Sequence, residues 1–579
     1  MTIHTLRTIL LASLLLGTCG AQNPSHPFAT FDVRFLLAPG VSVPFDAELP
    51  LWGLYPDAGS DVRRGRRTEG RLSLDSVADL VRANVAPETW DNEGCQIRPA
   101  SGSIVCRNEQ SVLAEIRAFV DYLHRAVGRS ISVDVWRLPA SGAPAAGVVT
   151  AEVATGLIAH PSATVAGKLE LGSNRPGRLR AGHLITFLGD YDVEVAEEAQ
   201  VADPRMFVLR DGLDLQLGVW NTPDGRVILR VSGRDSSLEK LVKRDTASTW
   251  VGQLQLPVVD SQVVSGSGVV ESGGGIVLGA AQGDGDTVFF VRVRSEAIPD
   301  LGPGGGCAFI PAGAAAVSFQ QMGPLRVGVP SRSGFDSSGI DGVDVPEEDR
   351  ILEVDSLIEM VRGHVDPDGW DEDPSWALWT AGDNLFVRAP KEVIAGARAL
   401  ATALNDTHLT NVGLEFRIGV LDAERTRAVS TGQADLAAVA GLLDTKAWVA
   451  TLAGAGFRQL LGRETAYLKD HDVEIAQKAT IADPVVATLF AGVAFQGRAV
   501  SAGPGKVGLT GEFLIQDVVG EVAPIDGNAN DIGVVDIPRT STTRANVAQI
   551  LEDGRWAVLR LASRPEGEGS LAILVRVRL

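Results

Sequence analysis

The chain is poor in the residues that usually carry chemistry. Its 579 residues include four cysteines and eight histidines. No histidine or second cysteine pair lies near Cys95 and Cys106 at zinc spacing, which removes a structural metal reading. G-x-S-x-G, H-E-x-x-H, C-x-x-C and a phosphate loop are all absent, so no known nucleophile, zinc or nucleotide motif is offered. Gly503-Pro504-Gly505-Lys506 ends like a phosphate loop, but Val507 stands where a hydroxyl residue is needed, and the stretch reads as a turn. Asp526–Asp531 alternates oxygen-bearing side chains like a calcium loop, yet its sixth position is Asp531 and no glutamate closes it. Basic residues are also scarce, 52 against 72 acidic ones, for a net charge of −20. Such a chain repels phosphate backbones, and nucleic acid is excluded as a partner. Aromatic residues make up only 6%, which argues against a sugar-binding groove. After the N-terminus, no apolar run is long enough for a membrane-spanning helix.

What is present is a repeat. Leu72–Asp91 (LSLDSVADLVRANVAPETWD) returns as Leu352–Asp371 (LEVDSLIEMVRGHVDPDGWD), 280 residues later, with nine of the twenty positions identical. That is a tandem duplication. Apolar residues are 45% of the chain, enough for packed cores, and 64 glycines and 29 prolines suit many short strands and turns. The length alone implies roughly four domains.

The first 21 residues read as an export signal: Arg7, an apolar core from Ile9 to Leu16, then small residues. Two processing routes fit. One cleaves after Ala21; the other attaches lipid at Cys19, in the box Leu16-Gly17-Thr18-Cys19.

Residues 27–138 read as a small α+β domain. Thr30–Leu37 suits a strand. Asp75-Ser76 open a helix with Val77, Leu80, Val81 and Val85 at helical spacing, and Pro87 closes it. Gln96-Ile97-Arg98 and Ser103-Ile104-Val105 flank a turn, a helix follows from about Gln110 to Val127, and Ile131–Trp136 alternates as a strand. Cys95 and Cys106 stand at the outer ends of the hairpin, which in an exported chain predicts a structural disulfide. Cys307 is left as a free thiol. Trp90-Asp91 and Trp370-Asp371 follow the closing prolines; each Trp is expected to pack the end of its helix. His364 replaces Asn84 in the second copy and is expected at the surface.

Residues 139–296 read as a β-domain of short strands, among them Leu184–Phe187, Asp192–Val195, Leu213–Leu217 and Val227–Val231. Residues 297–345 read as a Gly/Pro-rich linker with the start of the second copy, 346–420 as the second small domain and 421–579 as the second β-domain. Asp192–Ala196 matches Asp472–Ala476, Ala202-Asp203-Pro204 matches Ala482-Asp483-Pro484, and Val291–Arg294 matches Val575–Arg578.

The order of these pieces resembles the secretins, the outer-membrane ring proteins of bacterial type II and III secretion and type IV pili. The small domain resembles their ring-building modules, and VVESGGGIVLGA (Val269–Ala280) and Val288–Arg294 resemble their late strands. The arrangement departs from the family in three ways. One small domain precedes each of two β-domains, the usual C-terminal segment is not found, and no pair of long amphipathic membrane hairpins is evident. The resemblance implies an α+β, non-enzymatic, exported envelope protein, in the periplasm or outer membrane, that keeps the fold without the pore. It would work through protein partners or self-association, with membrane association through a lipid anchor or a secretin-type assembly. No cofactor and no small-molecule substrate are implied. The rival reading is a solitary envelope binding or scaffold protein without a secretion role.

Overall fold

The computed structural model describes residues 26–37, 39–41, 52–54, 67–70, 72–144, 147–173, 176–196, 199–246, 252–283, 286–296, 301–302, 306–319, 349–350, 352–381, 384–476, 479–520, 522–526, 534–564 and 569–579. The chain is mainly antiparallel β-structure with helices set beside it, an α+β protein. It divides into two compact units: residues 1–38 with 72–124, and residues 39–71 with 125–579.

The first unit holds a three-stranded sheet, Phe28–Asp32 against Ser103–Arg107 against Gln96–Ala100. Ser101 and Gly102 turn the hairpin with φ of 43° and 86°, the two positive values that a two-residue turn of matching twist demands. Helix Leu74–Asn84 packs on this hairpin through a face that includes Val77, Leu80 and Val81. Its cap is Ser73, whose hydroxyl accepts from the Ser76 N–H at 2.9 Å, earlier than Asp75-Ser76 suggested. The expected strand over Thr30–Leu37 stops at Asp32; Arg34–Leu37 is a helical turn.

In the second unit sixteen strands build two large sheets. In chain order they are β1 Ser130–Pro139, β2 Thr164–Gly172, β3 Gly177–Ala196, β4 Ala199–Asn221, β5 Val227–Asp245, β6 Gln253–Val270, β7 Gly275–Ala281, β8 Thr287–Ser295, β9 Asn411–Leu421, β10 Thr445–Leu452, β11 Gly456–Ala476, β12 Ala479–Ser501, β13 Lys506–Val518, β14 Thr540–Glu552, β15 Trp556–Ser563 and β16 Ser570–Arg578. One sheet runs β3-β4-β5-β6-β11-β12-β13-β14, with Trp52–Leu54 added beside β4. The other runs β15-β16-β9-β10-β7-β8-β1-β2, with Gly147–Val149 added beside β7. Their facing apolar residues form the core. One cluster includes Leu215, Leu217, Leu229, Val231 and Phe289. Another includes Phe416, Phe495 and Phe513, with the ring centroids of Phe416 and Phe495 4.6 Å apart.

Four findings differ from the sequence reading. Leu184–Phe187 and Asp192–Val195 are one strand, β3, because the break expected at Gly189-Asp190 is a bulge: the register with β4 shifts between Leu188 and Asp190. The same shift separates Leu468 from Asp470 in β11. Two long hairpins result, β3–β4 and β11–β12, where none was expected. Strand β1, expected to close the first small domain, lies in the second large sheet beside β8. Within the expected linker, Cys307–Pro311 is a strand paired with Asn384–Arg388. That pair, with Ala377–Ala381 and helices Val354–His364 and Lys391–His408, encloses a core around Ile310, Leu357, Val361 and Leu385.

Candidate assembly interface

Helix Leu74–Asn84 and helix Val354–His364 end in the same way. The residue after each C-cap, Ala86 or Asp366, has positive φ, 42° and 50°. Trp90 Nε1 donates to the Val85 carbonyl at 2.9 Å, and Trp370 Nε1 to the Val365 carbonyl at 2.7 Å. The indoles therefore satisfy carbonyls that a helix end leaves open, the structural role expected of them. His364 is exposed, with Nδ1 2.9 Å from the Met360 carbonyl.

The cysteines are not joined. The expected Cys95–Cys106 bond is absent, and both thiols are free. The register supplies the reason. Cys106 lies opposite Ile97, and its side chain is fully buried; Cys95 lies just before that strand begins, with Sγ 3.5 Å from Asn108 Oδ1. Burial pushes the Cys106 thiol up to about 12 and that of Cys307 up to about 11, the opposite of an activated nucleophile. Cys19 and most of the calcium-like stretch, 527–531, lie outside the described residues. Gly503–Lys506 is a turn between β12 and β13, closed by the Lys506 N–H on the Gly503 carbonyl at 3.0 Å. Among the described residues no group of three or more His, Cys, Asp or Glu is placed to hold a metal ion, and no helix is long and apolar enough to cross a membrane.

The feature with the most organised chemistry is the place where the halves of the second unit meet. Strands β1–β8 and β9–β16 follow one another in the same succession. They join edge to edge in both sheets. In the first, β6 pairs with β11, from Val258 opposite Thr465 to Ser265 opposite Arg458. In the second, β7 pairs with β10, from Gly279 opposite Trp448 to Ala281 opposite Lys446.

Side chains lock the joint in the first sheet. Arg234 on β5 reaches across β6 to Glu464 on β11, 2.7 Å, with both largely buried. Arg463 pairs with Asp260 at 2.9 Å and with Glu239 at 3.0 Å. Arg244 meets the buried Asp536 at 2.6 Å, and the other oxygen of that carboxylate accepts from the Leu468 N–H at 3.0 Å. Beside this polar layer Val263, Leu460, Phe490, Ala494 and Leu514 form an apolar patch across the seam.

Ser265-Gly266-Ser267-Gly268 brings the two sheets together at this point. A Cβ on Gly266 would stand 2.4 Å from the Ala450 carbonyl oxygen, so only glycine allows the approach. Ser267 Oγ accepts from the Leu452 N–H at 3.0 Å, and Asn411 exchanges two 2.8 Å hydrogen bonds with the backbone of Val269. None of these residues stands out in the sequence. The one local signal is the Ser-Gly alternation inside an otherwise valine-rich strand.

No family model matches the chain, and no curated protein does. Solved structures are similar to it at low identity. The InvG secretin domain β-barrel from the Salmonella SPI-1 injectisome is 14% identical, with 47% of this chain and 89% of that chain covered and a TM-score of 0.22. The V. cholerae type IV competence pilus secretin PilQ is 13% identical over 35% of this chain and 68% of that one, TM-score 0.18. The ETEC pilotin–secretin AspS–GspD complex is 10% identical over 88% and 86%, TM-score 0.17. The secretins are thus what this chain is similar to, in the order of its sequence motifs and among solved structures.

Proposed function

We propose that the chain is a non-enzymatic, exported protein of the bacterial cell envelope, related to secretins, that acts through protein–protein assembly in a secretion process. The observation that carries this reading is the pairing of strand edges between the two halves, in both sheets at once. A protein that already builds a surface by adding one β-unit to the edge of another is made for assembly. The Arg234–Glu464 and Arg463–Asp260 ion pairs serve that seam, and the reading assigns no catalytic residue, metal or cofactor.

In this reading the chain carries two tandem copies of a small α+β domain followed by a β-domain, with Ser130–Pro139 counted in the first β-domain and Cys307–Pro311 in the second small domain. Export uses the first 21 residues, and the mature chain works in the periplasm or at the outer membrane, soluble after cleavage at Ala21 or anchored by lipid at Cys19. Mass spectrometry of the mature N-terminus separates these two routes. The function is tested by deleting the gene in the source organism, then comparing its secreted and surface proteins before and after complementation. Loss of a defined set of secreted or surface proteins, restored by complementation, is the expected result. An unchanged set, or recovery of the protein in the cytoplasmic fraction, would overturn the proposal.

A further inference from the structure

We propose that the row Val500–Gly508–Ile550, on the face of β12, β13 and β14 turned away from the core, is the docking site of a different protein, one that presents a small α+β domain with an acidic residue in the last turn of a helix. This rests on the assembly part of the reading above and names the kind of partner and the place where it binds.

The ladders identify the row. Gly182 faces Gly212 in β3–β4, and Gly462 faces Gly492 in β11–β12, each pair 280 residues from the other. Trp220, Ile228 and Val269 lie side by side across β4, β5 and β6. Val500, Gly508 and Ile550 lie side by side across β12, β13 and β14. The same turn joins the first two strands of each row: the Thr222 N–H donates to the Arg226 carbonyl and the Ala502 N–H to the Lys506 carbonyl, both at 3.0 Å. The second row is therefore the counterpart of the first, and Lys506 that of Arg226.

In the first half this face is covered from within the chain. Trp220 is 8% exposed, and Ile228 and Val269 are buried; they pack in one cluster with Ala314, Val317 and Leu409 of the second small domain. Polar contacts hold the rim. Arg226 pairs with Asp406, in the last turn of helix Lys391–His408, and Arg398 of that helix donates to the Pro223 carbonyl at 3.3 Å.

In the second half the same face is bare. Val500 is 41% and Ile550 64% exposed. Gly503 is exposed where Pro223 is buried. Lys506 is exposed and has no ion pair among the described residues, and Pro504 stands where Asp224 meets Arg226 at 2.5 Å. An apolar row with an unmatched charge at its rim has the anatomy of a docking surface, and its counterpart shows what kind of domain docks there. The contour differs in one respect. Val500 and Gly508 replace Trp220 and Ile228, which leaves a dip, so the partner needs larger apolar side chains than Ala314 and Val317.

Charge decides against a second copy. Helix Gln110–Val127 of the first small domain has the same eighteen residues of length as Lys391–His408, and it carries Arg125 where the latter carries Asp406. Set on this face, it would bring an arginine to Lys506, and like charges repel. The second small domain is already seated on the first half. The partner is therefore a protein with Asp or Glu at that place.

The test is photo-cross-linking of the full chain in cells of the source organism, with p-benzoylphenylalanine in place of Ile550. One adduct with a different protein is expected on irradiation. Mass spectrometry should place the link in a small α+β domain, and a zero-length carbodiimide should join Lys506 to a carboxylate of the same domain. Lys506→Glu should weaken the adduct about tenfold, whereas Lys506→Arg should leave it within about twofold. The carbodiimide link needs no variant, so it decides the matter even if Lys506→Glu fails to fold. No adduct, an adduct of two copies of this chain, a carbodiimide link that bypasses Lys506, or an adduct indifferent to a folded Lys506→Glu would each overturn the inference. The outcomes separate from those of the gene deletion. The adduct with an unchanged set of secreted proteins leaves the inference standing and removes the secretion role. No adduct with a lost set does the reverse.

Discussion

Ala86 and Asp366 hold left-handed backbone ahead of a proline, each just past the end of its helix, Leu74–Asn84 or Val354–His364. A Cβ in that region costs about 1–2 kcal/mol, part of which glycine would return to the flexibility of the unfolded chain. Ala86→Gly should therefore stabilise the first unit by about 0.5 kcal/mol in urea unfolding. Trp90→Phe keeps the ring but removes the donor to the Val85 carbonyl, and should cost about 1 kcal/mol. The thiols supply a third check. Burial disfavours the thiolate of Cys106 and Cys307, so both should resist a thiol reagent at pH 8 in the native state, while Cys95, which is partly exposed, reacts first. Mass spectrometry of the labelled chain reads this directly. At this scale much was legible. A tryptophan five residues after a helix C-cap, twice, is a local pattern, and local hydrogen bonds satisfy it. The disulfide was not, because whether two cysteines face each other depends on a hairpin register that a shift of one residue reverses.

At the scale of elements, the two long hairpins depend on glycine pairs. A Cβ on Gly492 would stand 2.3 Å from the Leu461 carbonyl oxygen, and its φ of 149° is one that other residues rarely adopt. Gly492→Ala should destabilise the chain by about 1–3 kcal/mol. The seam makes a sharper prediction. Arg234→Leu alone strands the largely buried Glu464 and should cost about 3 kcal/mol. Adding Glu464→Leu should return most of that loss, since Leu514 and Leu184 are the residues that the equivalent positions already carry. A double variant no more stable than the single one would show that the pair is needed for more than charge balance. The helices, the first hairpin and most strands could be read from periodicity and turn residues. The seam could not. A strand such as β6 alternates in the same way whichever strand lies beside it, and its partner β11 is about 200 residues away in the chain. The bulge at Leu188–Asp190 was read as a break for a related reason: glycine and aspartate mark both turns and bulges, and only pairing with β4 distinguishes them.

For the molecule as a whole, both sheets of the second unit run without interruption through the two halves. The halves share clusters across the seam, with Ala450 in the core of the first and Ala280 in that of the second. They should unfold as one cooperative block, with a single calorimetric transition whose enthalpy matches its van't Hoff value. Because one backbone carries both partners, the internal seam is a unimolecular equilibrium: its effective concentration is fixed by the tether, and dilution does not open it. Every chain, at any expression level, arrives with that union already made and with its two halves in strict one-to-one proportion.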